Sequence, residues 1–118
     1  MTPLLLRRGD IVLVPFPFTD LSGRKVRPAL IVSPNPVGED ILVAFISSVI
    51  PPVPEPTEYV LDTTHPAFAQ TGLRGTSVFK MGKMATLHRS LMLRRLGCTT
   101  PGLQNTLDIA LKRAVGLV

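Results

Sequence analysis

Tryptophan is absent from this chain, and tyrosine and cysteine each occur once. A lone thiol, Cys98, cannot close an intrachain disulfide and offers no zinc ligand set. A disulfide-stapled secreted fold and a zinc module are therefore excluded, and a reducing cytoplasm is the expected setting. Histidine occurs only at positions 65 and 88, so few side chains titrate near neutral pH unaided. No apolar run is long enough to span a bilayer. The opening Met1–Arg8 has neither a charged leader nor an apolar run of secretory length. GxGxxG, P-loop, HExxH, paired CxxC and GxSxG motifs are all missing, so no dinucleotide fold, metal site or serine-hydrolase elbow is expected, and no cofactor.

Acidic residues are scarce in one half of the chain. Residues 1–62 hold five Lys/Arg against seven Asp/Glu, whereas residues 63–118 hold eight against one, Asp108. The net charge of +5 is thus concentrated in the second half. Such a half suits a phosphate-rich partner or an acidic protein segment, or serves solubility alone. Apolar residues make up 45%, too many for a disordered chain. The 118 residues fit one domain, 1–118, with a single ordinary core.

Gly9-Asp10 reads as a turn before a strand, "IVLVPFPF", whose prolines mark an edge or an end. "TDLSGRK" is a polar loop. "PALIVS" is a strand apolar enough to be buried on both faces, and "ILVAFISSVI", Ile41–Ile50, is the most apolar segment. Four prolines within Pro51–Pro56 predict an extended surface loop. Glu58–Asp62 is a short strand, "TTHPAFAQTGLRG" an irregular connection, and Thr76–His88 a strand bent or bulged at Gly82. Leu91–Cys98 reads equally as strand or helical turn. Thr99 or Thr100 caps a closing helix, with Pro101 in its first turn. Leu103, Leu107, Ala110, Leu111 and Ala114 share one face, and Gly116 follows as a stop. The expectation is a mainly β fold, a small curled sheet or half-open barrel with a C-terminal helix packed on it.

Several residues are candidates for chemistry. Arg27 stands just before the second strand, either as its last solvated residue or aimed at something negative. Ser47 and Ser48 close the third strand, where the backbone can satisfy them. His65 and His88 would make an acid–base pair only if the fold joined them. The Arg94-Arg95 pair preceding Cys98 can lower its thiol pKa. Tyr59 is the best base-stacking candidate, or else a half-buried strand residue.

"RRGDIVLVPFPFTDLSGRKVRPALIVSP", "ILVAFISS", "TGL", "SVFKMGKMATL", "RRLG" and the closing helix occur in this order. From Arg8 to about Leu117 the chain resembles the PemK/MazF family of type II toxins, nearest the PemK-like branch with "PFPFTD". The resemblance implies a small SH3-like curled barrel that works as a homodimer. It implies metal-independent cleavage of single-stranded RNA to a 2′,3′-cyclic phosphate and a 5′-hydroxyl. An antitoxin would lay an acidic C-terminal segment on the basic groove. The family's key arginine falls on Arg27 and its key hydroxyl on Ser47, where threonine is usual. Arg24, Lys25, Ser48, Lys80 and Lys83 are the expected RNA contacts. Arginine is a poor base at neutral pH, which leaves Asp20, His65 and His88 open for that role. Ser47 keeps the hydroxyl but loses the methyl that fixes its rotamer. Gly82 and His88 stand where aspartates are expected. Two alternatives stay open: a gyrase-poisoning toxin of the CcdB type, against which the missing tryptophan counts, and a degenerate member that binds RNA or antitoxin without cutting.

Overall fold

The apolar runs become six antiparallel strands among the described residues: β1 (Asp10–Pro15), β2 (Val26–Pro34), β3 (Asp40–Ser47), β4 (Glu58–Leu61), β5 (Ser77–His88) and β6 (Arg94–Cys98). A single turn of helix, α1 (Phe68–Thr71), precedes β5, and α2 (Pro101–Ala114) closes the chain. The structure, a computed structural model, describes residues 5–15, 25–35 and 37–117. The strands form one sheet in the order β4-β5-β3-β2-β1-β6. It is a curled half-barrel with the closing helix on one face.

Both faces of the central strands are buried, as the unbroken apolar runs require. Leu30, Ile46, Leu61, Phe79 and Met81 meet Leu103, Leu107 and Ala110 of α2 on one face. On the other, Val12, Val14, Ala29, Ile31, Val43 and Phe45 pack together beneath Leu6 and Met92. Side chains alternate along a strand, so Ala29–Val32 feed both clusters in turn. Thr100 caps α2, its hydroxyl accepting from the Leu103 N–H at 3.2 Å. The helix stops as the sequence predicts: Gly116 has φ +73°, and the Leu117 N–H reaches the Lys112 carbonyl at 2.8 Å.

Four boundaries differ from expectation. Arg27 is not a loop residue before the second strand but lies inside β2, paired with Val14. Pairing of β2 with β3 begins only at Ala29, so Pro28 stands at an end of that ladder, where proline is tolerated. The third strand stops at Ser47, whose hydroxyl accepts from the Val49 N–H at 3.1 Å and turns the chain away. The irregular connection contains α1. The ambiguous Leu91–Cys98 divides into the end of a 3₁₀ turn, Arg89–Leu91, and β6. Gly82 does lie in a bulge: Ala44 pairs with Met84 and Phe45 with Lys80, leaving Met81, Gly82 and Lys83 as the extra length of β5. Phe16–Phe18 of the first predicted strand lie outside the described residues.

Candidate functional site

Arg27 sits at the end of β2 that faces the start of the proline loop. Ala29 is opposite Phe45 and Leu30 opposite Ala44. Continuing this register by two residues sets Arg27 opposite Ser47. Arginine and hydroxyl therefore share one face of two adjacent strands. They line a cleft of about 70 Å³ together with Phe45, Ile46, Lys80 and Lys83. The β5 bulge explains the two lysines. Lys80 lies before it, paired with Phe45, and the extra residues fold Lys83 back to the same cleft. The Ser47 oxygen already accepts from Val49, so its O–H is oriented to donate.

Arg27 also borders a second, larger cavity of about 420 Å³. Its floor is apolar: Leu13, Pro28, Ile46 and Leu96. One wall is the turn Gly72–Ser77, and Ser48, Arg74 and Arg94 stand at its polar side. Among the described residues that line the two cavities there are five cations and no carboxylate or histidine. A site of this composition binds and polarises an anion such as a phosphodiester.

The PemK-like, MazF-like toxins of type II toxin-antitoxin systems match residues 7–115 of the chain. The protein belongs to this toxin family. Three solved structures share the fold. An endoribonuclease from a mycobacterial species, solved with its cognate antitoxin, is 24% identical with a TM-score of 0.73, covering 97% of this chain and 98% of that one. The Mycobacterium tuberculosis toxin MazF-mt6 is 22% identical with a TM-score of 0.69, covering 91% and 96%. A chain of the MazE-MazF structure from Deinococcus radiodurans is 18% identical with a TM-score of 0.69, covering 98% and 100%. Comparison with curated proteins gives no match.

On this toxin fold the expected site residues separate into groups. Arg27, Ser47, Lys80 and Lys83 come together in the smaller cleft, and Ser48 lines the larger cavity. Lys25 is exposed and lines neither. Arg24 and Asp20 lie outside the described residues. Neither histidine lines either cavity. The His65 Nδ1 accepts from the Ala67 N–H at 2.9 Å, and the His88 Nδ1 accepts from the Ser90 N–H at 3.1 Å. The Cys98 sulfur accepts from the Gln70 Nε2 at 3.2 Å. Tyr59 packs against the core cluster under α2, opposite Phe79, which makes it the half-buried strand residue of the two readings. Among the described residues no three His, Cys, Asp or Glu gather as metal ligands, and no helix is long and apolar enough to cross a membrane.

Arg74 and Arg94 were not among the expected site residues. They lie 20 positions apart on different elements, and only packing joins them. The signal was present in two nearby glycines. A Cβ on Gly72 would stand 2.1 Å from the Leu96 carbonyl oxygen, and one on Gly97 would stand 2.2 Å from that of Gln70. These contacts seat α1 directly on β6.

Proposed function

We propose that this toxin is a cytoplasmic, metal-independent endoribonuclease in which Arg27 and Ser47 stabilise the scissile phosphate of single-stranded RNA. The observation that carries the reading is the position of Arg27, held by β2 between two cavities that the described residues line with cations and no carboxylate, and in register with the Ser47 hydroxyl. The substrate 2′-oxygen attacks phosphorus as its proton leaves. The bond from phosphorus to the 5′-oxygen breaks, and that oxygen takes up a proton. The products are a 2′,3′-cyclic phosphate and a 5′-hydroxyl. Negative charge grows on the non-bridging oxygens during the step. A planar guanidinium can bind two of them, and the Ser47 O–H can donate to one. Lys80 and Lys83 hold neighbouring backbone phosphate without reading sequence. Lys25, exposed just before β2, supplies a further cation for the RNA backbone, and Ser48 faces the adjoining cavity. An antitoxin with an acidic C-terminal segment would neutralise the same surface, as the antitoxin-bound mycobacterial relative suggests. The chain acts as one domain, 1–118, in a homodimer.

The test is cleavage of a mixed-sequence single-stranded RNA in excess EDTA, with fragment ends checked for cyclic phosphate. Wild type should cut. Arg27→Ala, confirmed folded by circular dichroism, should cut about 10²–10³ times more slowly. Intact RNA with wild type, or an Arg27→Ala variant as fast as wild type, would rule the reading out.

A further inference from the structure

We propose that the 420 Å³ cavity beside Arg27 is a nucleobase subsite, and that Arg74 and Arg94 read the base next to the scissile phosphate. The inference rests on the RNA-cleavage reading and adds to it a residue-level source of sequence preference. The cavity adjoins the catalytic cleft through Arg27 and Ile46, which line both. A phosphate held on Arg27 therefore directs the nucleotide attached to it into one cavity or the other. Only the larger is in the volume range of small-molecule pockets.

Its lining matches a base. The apolar floor of Leu13, Pro28, Ile46 and Leu96 can take a flat ring that has left the stack. Arginine is a donor-only group with a planar fork, and its face also stacks on bases. Among the described residues, three other arginines are tied to structural partners. Arg8 pairs with Asp108, Arg95 with Asp10, and Arg113 donates to the Pro56 carbonyl. Arg74 and Arg94 have no such partner, are exposed, and line one cavity. A donor-only pair favours a carbonyl-bearing base. Guanine fits best, because O6 and N7 sit side by side as acceptors, whereas adenine places an amino donor where O6 would be.

The walls are also preorganised. Gly72 and Gly97 allow the α1 turn to lie against the β6 backbone. The Gln70 Nε2 donates to the Thr99 carbonyl at 3.0 Å, and the Ser77 hydroxyl donates to the Gly75 carbonyl at 2.8 Å. Arg74 is thus carried on a turn stitched to the strand that carries Arg94. The backbone of both arginines is thus set before binding, so only their side chains remain to be ordered.

The experiment is cut-site sequencing on a random single-stranded RNA pool in EDTA, comparing wild type with Arg74→Ala, Arg94→Ala, Arg74→Lys and Arg94→Lys. Each alanine variant should lose about tenfold of the base preference at one and the same position beside the cut. The lysine variants should show the same relaxed preference, since lysine keeps the charge and lacks the fork. A uniform slowing with an unchanged base profile would overturn the proposal, reducing both residues to phosphate contacts. An unchanged profile and rate would also overturn it and leave the cavity to an acidic protein segment. If wild type cuts nothing, the ribonuclease reading fails separately. The subsite is then decided by fluorescence anisotropy with labelled hexanucleotide RNAs that differ in one base. Base-dependent binding lost in Arg74→Ala upholds it, and base-independent binding overturns it.

Discussion

Ser47 accepts from the Val49 N–H where β3 ends, and the proposed mechanism uses its O–H as a donor in the cleft it lines with Arg27. Serine spreads over more rotamers than threonine, whose methyl stiffens χ1. Ser47→Thr should therefore cleave a fluorogenic RNA oligonucleotide at least as fast as wild type. Ser47→Ala should be slower by about 10²–10³, the usual cost of one lost donor to a developing oxyanion. Equal rates for Ser47→Ala and wild type would remove the hydroxyl from the mechanism. Pairing opposite Val14 holds the Arg27 backbone inside β2, where a loop position would leave it free to vary.

At the scale of elements, the contact that shapes the site is α1 on β6. Backbone meets backbone there, with no side-chain end to move aside. A methyl on Gly97 would approach the Gln70 oxygen to 2.2 Å and the Thr71 carbonyl carbon to 2.6 Å. Gly97→Ala should therefore destabilise the fold by about 1–3 kcal/mol, read as a lower urea midpoint. Gly75 lies on the same turn with nothing within 4 Å of an added Cβ. Gly75→Ala should leave the midpoint unchanged, which separates crowding from a general effect on the turn. The β5 bulge works on the same scale. Three extra residues opposite one step of β3 bring Lys80 and Lys83 to one cleft. A regular ladder would have placed them three residues apart on opposite faces.

Across the whole molecule, one ion pair joins the segment before β1 to the closing helix. Arg8 Nη2 lies 2.6 Å from the Asp108 carboxylate, which also accepts from Gln104. Burial alone would raise the Asp108 pKa, but the Arg8 and Gln104 hydrogen bonds and the charges of Arg8 and Lys112 hold it below the usual value. A lowered folded-state pKa means the unfolded chain binds the proton first, so the stabilisation is present above the ordinary carboxylate range. It is lost as pH falls through the depressed folded value. Asp108→Asn should thus have a lower urea midpoint than wild type at pH 7, and the gap should close in acid. The difference will be small and salt-sensitive, because the Arg8 side chain is 43% exposed.

The sequence by itself determined the elements and the chemistry in stock. Continuous apolar runs demand buried strands, Thr99 or Thr100 and Gly116 bracket a helix, Gly82 marks a bend or bulge, and the cations gather in the second half of the chain. These are local properties, set by side-chain type and spacing along the chain. Only the tertiary structure decided which cations meet. Arg27 opposite Ser47 is a matter of register, Lys80 beside Lys83 of a bulge's size, and Arg74 and Arg94 on one cavity of two glycines packed backbone to backbone. Each depends on contacts between residues distant in sequence, where no local preference points from one partner to the other.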